Sequence, residues 1–179
     1  MKFYSPDKGE VYVDNIEFQK FLGVQEIRAA IVYVSQEDFL FTASVRENLK
    51  MGNDGITDDE MIEISHNMGV DQFVSKMERG YDSVLEERGK NLSKGQRQKI
   101  SLTRAILRHP QVLILDEATS NMDSISEREI LNYIKGIQNL TLILISHRID
   151  VIADSNCIYV LQKGSIVASG TDEQLKKSM

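Results

Sequence analysis

The sequence has one cysteine, no excess of basic charge and no long apolar run. Each lack excludes something. A single thiol rules out an internal disulfide and fits a reducing compartment. A net charge of −6 gives no electrostatic footprint for nucleic acid, so no nucleic-acid partner is expected. No apolar stretch reaches the roughly 20 residues that span a bilayer. The stretch over 140–145, broken only by Thr141, has the length of a buried strand. No secretory signal pattern opens the chain, and no repeat or low-complexity segment occurs. Also missing is any match to Gly-x-x-x-x-Gly-Lys-(Ser/Thr), the backbone cradle for phosphates. Gly89-Lys90 is the one Gly-Lys pair, and Val84 and Asn91 stand at the wrong places around it.

What is present is ordinary for a soluble globular domain. Apolar residues make up 41% and charged residues 27% of 179 positions, enough for one domain with its own core. Lys2 to Tyr4 reads as the end of an element, and Pro6 and Gly9 mark a turn. Glu10 to Asp14 alternates like a half-buried strand, and Ile31 to Val34 is a second strand ending at Ser35-Gln36. A short helix is expected over 42–49. Thr57 to Glu60 forms a capping box that opens a helix carrying Met61, Ile62, Ile64, Ser65 and Met68. Residues 71–77 are expected to be helical, with a turn at Gly80-Tyr81-Asp82. The second half alternates cleanly. A helix over 93–107 stops at His109-Pro110, and a strand follows over 112–115. A helix from about Asp123 carries Ile130, Leu131, Ile134 and Ile137 at helical spacing. Strands follow at 141–145, 157–161 and 166–168, and Thr171 caps a last helix. Cys157, beside Ile158 to Leu161, is expected to be a small core residue. His66 and His109 read as surface or capping groups.

Alternating strands and helices imply a parallel α/β sheet whose functional groups gather at the C-terminal strand ends. Gln36, Asp116, Glu117 and His147 all fall near such ends. Asp116 follows four apolar residues, where a strand can deliver a Mg²⁺ ligand, and Glu117 beside it could orient or deprotonate a water. By themselves the two could equally be surface carboxylates. Ser93-Lys94-Gly95-Gln96 is a Ser-x-x-Gln capping box. The same helix start offers free N–H groups and a positive dipole end to an anion, and Gly95 permits close backbone approach. His147, following a core strand, fits a hydrogen-bonded structural role or a phosphate contact.

Taken in order, these segments resemble the ATP-binding cassette (ABC) ATPases, exporters in particular. Leu92 to Gln96, continuing through Arg97-Gln98-Lys99, is similar to the signature Leu-Ser-Gly-Gly-Gln, with Lys94 in place of the first glycine. Leu113 to Glu117 resembles the Walker B motif, Ser120 to Asp123 the D-loop, Ser146-His147-Arg148 the H-loop and Val34-Ser35-Gln36 the Q-loop. Glu86 to Gly89 resembles the exporter X-loop, and Phe39 to Leu49 is also of exporter type. The resemblance covers essentially the whole chain. It implies a P-loop NTPase-like, mostly parallel sheet flanked by helices, with an inserted helical subdomain. The core part would occupy about 1–36 and 108–179, and the helical part with the signature about 37–107. The first strands and the P-loop helix are expected to be missing. It implies ATP and Mg²⁺ as ligands, with catalytic roles for Glu117, His147 and Gln36. Asp116 and Gln36 would serve the metal, and Ser93, Lys94, Gly95, Gln96 and Asp123 the nucleotide. The implied partners are a second nucleotide-binding domain, identical or not, and the transmembrane domain of an exporter. The place would be the cytoplasmic face of the membrane, and a faint likeness to peptide exporters implies a peptide cargo. The rival expectation is a truncated, catalytically incompetent domain that acts as a partner to an intact one.

Overall fold

The computed structural model describes residues 6–18, 24–37, 39–53 and 55–178. The expectations for Lys2 to Ser5 lie outside them. The chain divides into two compact units, 1–143 and 144–179.

The first unit begins with a small hairpin of β1 (Tyr12–Val13) and β2 (Ile16–Glu17). Its turn residues Asp14 and Asn15 both have positive φ, 49° and 62°. Such a pair makes the two-residue turn whose twist matches antiparallel strands, and short Asp and Asn side chains tolerate it. The single strand expected over 10–14 is therefore cut short by its own turn. Helix α1 (Val24–Ala30), which the pattern did not reveal, buries Ile27 and runs directly into β3 (Ile31–Val34).

Strand β3 pairs in parallel with β4 (Val112–Asp116), Ile31 opposite Val112 and Val34 opposite Leu115. β5 (Thr141–Ile145) completes the order β3-β4-β5, and the Thr141 N–H donates to the Gln111 carbonyl at 2.9 Å. Alternation fixes the faces. Val32, Leu113 and Leu115 point into the core, while Tyr33 is exposed and Ile114 and Asp116 are half-buried on the other face.

Between β3 and β4 lies a run of helices: α2 (Val45–Lys50), α3 (Asp58–Asn67), α4 (Asp71–Val74) and α5 (Lys94–Ile106). α4 is shorter than expected over 71–77. The segment Ser44 to Asn48 shows why its wording matters. Ser44 and Glu47 form a reciprocal capping box, and Val45 is fully buried. Arg46 meets Asp58 at 2.7 Å and Asp82 at 2.8 Å, tying α2 to the start of α3 and to the turn at Gly80–Asp82. Asn48, fully buried, accepts from the Phe41 N–H at 2.9 Å and donates to the carbonyls of Phe41 and Ser44, each at 3.0 Å. Asn48 thus shapes the 41–44 loop from inside. Asn48→Ala is expected to cost about 1–3 kcal/mol, because it leaves part-buried backbone groups of the 41–44 loop without partners. Urea melts of the two proteins measure this, and a loss below about 0.5 kcal/mol would reject it.

α5 is the central helix of the first unit. It buries residues around most of its circumference, Ile100 and Leu102 completely. Burying each such side chain contributes roughly 1.5–3 kcal/mol, which holds the helix against its neighbours. At its far end the Leu107 carbonyl accepts from Asn53 Nδ2 at 3.0 Å. His109 adopts φ 50° and Pro110 follows, so the helix stops where the sequence predicts. His109 sits 3.0 Å from Glu60 on the surface. After β4, α6 (Ser124–Lys135) packs Ile130, Leu131 and Ile134 inward.

The second unit holds α7 (Ile149–Ile152), β6 (Ile158–Gln162), β7 (Ser165–Gly170) and α8 (Asp172–Ser178). β6 and β7 form an antiparallel hairpin through Lys163-Gly164, with a register shift at Val160/Leu161. Thr171 caps α8 as expected, accepting from the Gln174 N–H at 3.3 Å. Cys157 is exposed, which corrects the expectation of a core thiol. It precedes the hairpin, and that hairpin buries only Ile158 along β6.

Candidate functional site

The start of α5 forms as the sequence dictates. The Gln96 N–H donates to Ser93 Oγ at 3.2 Å, and the Ser93 N–H donates to Gln96 Oε1 at 2.8 Å. Two of the free donors at the helix start are satisfied, and the dipole end stays open to an anion. Gly95 has a tighter constraint than a ligand would impose. A Cβ there would stand 3.1 Å from the Asn121 carbonyl oxygen. With only hydrogen at this Cα the loop 120–123 lies against α5, and a side chain there would push its backbone back by a few tenths of an ångström.

Gln98 completes that junction. It is fully buried, and its Oε1 accepts from the Asn121 N–H at 3.1 Å. Lys99 Nζ reaches Ser126 Oγ at 3.3 Å. Asp123 caps α6 by accepting from the Ser126 N–H at 2.9 Å. That backbone donor, followed by the Ser126 hydroxyl, holds the Asp123 carboxyl below its ordinary range. Two helix starts therefore face one open pocket of about 360 Å³. Ser93, Lys94, Gly95, Gln96 and Asp123, all singled out from the sequence, line it together with Lys99. Two lysines and the open start of α5 make it a place for an anion, while the Asp123 carboxylate already answers the start of α6.

Asp116 and Glu117 stand at the C-terminal end of β4. The Tyr33 hydroxyl donates to Asp116 Oδ2 at 2.7 Å. That bond, more than burial, pushes the Tyr33 phenol above its ordinary pKa. Glu117 has φ 50°, a left-handed conformation that costs a non-glycine residue roughly 1–3 kcal/mol. The Ser120 N–H donates to the Glu117 carbonyl at 3.2 Å and closes the turn. Behind it, Thr119 Oγ1 donates to the buried Glu127 carboxylate at 2.6 Å. Among the described residues no group of three or more His, Cys, Asp or Glu side chains could hold a metal ion. Mg²⁺ needs no such cage, since one carboxylate with phosphates and water suffices. Asp116, half-buried at a strand end, fits that donor set.

Gln36 is exposed in the bend after β3, the strand beside β4. His147 belongs to the second unit, where it is exposed after β5. Beside it Ser146 Oγ accepts from the Arg148 N–H at 3.0 Å, and Arg148 pairs with Asp150 at 2.6 Å. The structure thus gathers the signature residues and Asp123 at one pocket, and Asp116 with Glu117 at one strand end. Tyr33 was missed by motif reading, and Gln98 and Lys99, which continue the signature stretch, were given no role by it. Strand alternation could have found Tyr33, and Gln98 is a polar residue on the buried face of its helix.

A second groove, also of about 360 Å³, runs along β3 and α5 and is lined by Tyr33, Phe39, Phe41, Met51, Ser101 and Arg104 among others. Phe39 and Phe41 are exposed and meet edge to face, ring centres 4.8 Å apart.

Comparison with known proteins points to one family. A family model described as "ABC transporter" matches residues 1–120. The heterocyst differentiation ATP-binding protein HepA of Nostoc sp. is 39% identical over 175 residues, which are 97% of this chain and 29% of that protein. A putative export ATP-binding/permease protein, RC1073 of Rickettsia conorii, is 38% identical over 99% of the chain and 31% of its own length. A putative ABC transporter ATP-binding protein of Streptococcus pneumoniae, exp8, is 40% identical over 98% of the chain and 30% of its own length. A solved bacterial Atm1-family ABC exporter with ATP bound superposes with a TM-score of 0.93 at 30% identity, covering 98% of this chain and 31% of that one. The chain spans only about a third of these relatives.

Proposed function

The chain belongs to the ABC transporter family, and on that premise we propose that it is an ATP-binding and ATP-hydrolysing module that powers export. The observation that carries this reading is the anion pocket built by the starts of α5 and α6. Ser93 and Gly95 would meet the γ-phosphate of an ATP held mainly by a second nucleotide-binding domain. Asp116 and Gln36 would serve Mg²⁺, and Glu117 would activate the attacking water. His147 would contact the γ-phosphate, and Lys94, Gln96 and Asp123 would line the nucleotide pocket. The groove bearing Phe39 and Phe41 offers apolar surface beside the Gln36 bend, a place for a segment of the membrane partner. On this reading the module would work on the cytoplasmic face of a membrane. We further propose that residues about 37–107 act as the helical part and the rest as the core part. A peptide cargo rests on the sequence resemblance alone.

The 179 residues contain no P-loop pattern, and that cradle supplies most contacts to β- and γ-phosphates. Calorimetry with Mg-ATP is therefore expected to show weak binding by this chain alone. Micromolar affinity, about −8 kcal/mol, would overturn the expectation. Joining a P-loop strand and helix in front of the chain is expected to create ATP turnover. A folded protein of that kind with no turnover would reject the proposed function.

A further inference from the structure

Tyr33 meets Asp116 from the neighbouring strand, and no motif accounts for it. Its hydroxyl lies 2.7 Å from Asp116 Oδ2. Register explains the contact. Tyr33 is paired with Ile114, so it shares a sheet face with Ile114 and with Asp116 two residues on. A diagonal neighbour at that spacing is within reach of a long aromatic side chain. Leu or Val at position 33 would fill the same face without reaching the carboxylate.

We propose that Tyr33 is a positioning residue for Mg²⁺, holding the Asp116 carboxylate in one orientation. This rests on the reading of Asp116 as the metal carboxylate. Asp116 is half-buried at the end of a strand, where its side chain has rotamer freedom to lose. With Oδ2 accepting from the phenol, Oδ1 is presented to the cation or to one of its waters. The bond draws charge from the carboxylate, which weakens metal attraction slightly. Fixing its direction outweighs this, because Mg²⁺ demands near-ideal octahedral geometry. Partners of this kind, one step out from the metal, typically govern about 10–100-fold in metal affinity or activity. The low end is expected for a ligand already partly fixed by its strand.

The probe is Mn²⁺ alone, titrated into the 179-residue chain and followed by paramagnetic broadening of the amide signals of residues 114–118. The expected result is broadening that Asp116→Asn abolishes, and that Tyr33→Phe shifts to about tenfold higher Mn²⁺. Tyr33→Leu should shift it by the same amount, since the hydroxyl and not the ring is at stake. Tyr33 is 39% exposed, so neither variant opens a cavity, and thermal melts of both should match the parent. Tyr33→Phe titrating like the parent, while Asp116→Asn does not, would overturn the role of Tyr33 and leave Asp116 standing. A Leu variant much weaker than the Phe variant would overturn it too, by pointing to ring packing. Unchanged broadening in Asp116→Asn would remove the metal reading itself, and Tyr33 with it.

Discussion

Replacing Glu117 by glutamine is expected to lower ATP turnover by about 10²–10⁴-fold while leaving ATP bound, once the chain is joined to a P-loop. The amide keeps the shape of the carboxylate and loses its affinity for a proton. The backbone strengthens the argument. Glu117 sits at φ 50°, directly after the strand that ends with Asp116. An extended residue there would continue the strand and send its side chain to the face opposite Asp116. The left-handed turn instead redirects the chain into the loop 118–123. Strain of this kind persists only where the surroundings over-determine it. Here the Ser120 N–H to Glu117 carbonyl bond and the buried Thr119–Glu127 pair do so. Phosphate release and filter binding of ATP measure the two arms. Turnover within tenfold of the parent would remove Glu117 from the role of base.

Ser93→Arg is expected to abolish ATP-driven association of two domains of this kind. The arginine would fill the pocket lined by Ser93, Lys94, Gly95 and Gln96 and place bulk where the partner's phosphate should dock. It also removes the Ser93 cap, so cap loss needs its own control. Ser93→Ala loses the cap oxygen without the bulk, a change worth roughly 0.5–2 kcal/mol of helix stability. Size-exclusion chromatography with the P-loop-joined Glu117→Gln protein and ATP reads the dimer directly. A dimer peak that survives Ser93→Arg would mean that the helix start is a cap and nothing more. A peak lost equally in Ser93→Ala would assign the effect to folding of α5.

The fold was legible in the sequence wherever a local signal and the tertiary structure agree. The Ser93 and Thr57 caps, the stop at His109-Pro110 and the apolar strand before Asp116 are all where local chemistry puts them. α1 escaped because its seven residues pass straight into β3 with no breaker between them. The β1–β2 hairpin escaped because Asp14-Asn15 carries no glycine to announce its turn. Cys157 misled because its apolar neighbours suggested a core strand, while the β6–β7 hairpin leaves most of β6 exposed. At the site, the motif residues themselves were readable. The contacts that bind motif to motif were not. Gln98 to Asn121 and Tyr33 to Asp116 join residues 23 and 83 positions apart, and such pairs arise only from packing.

α5 also has a mechanical consequence. Its first residues line the anion pocket, and Ser101, Arg104 and Ala105 near its other end line the groove with Phe39 and Phe41. Thirteen residues of helix make a rod of roughly 20 Å. Clasped on most sides by the core, such a rod can rock but cannot easily stretch. A tilt of about 5° around its middle carries each end by roughly 0.9 Å, in opposite senses. In such a rocking motion a ligand that drew the Ser93 end inward would swing the Arg104 end outward, and a load on the groove would be felt at the pocket with reversed sign.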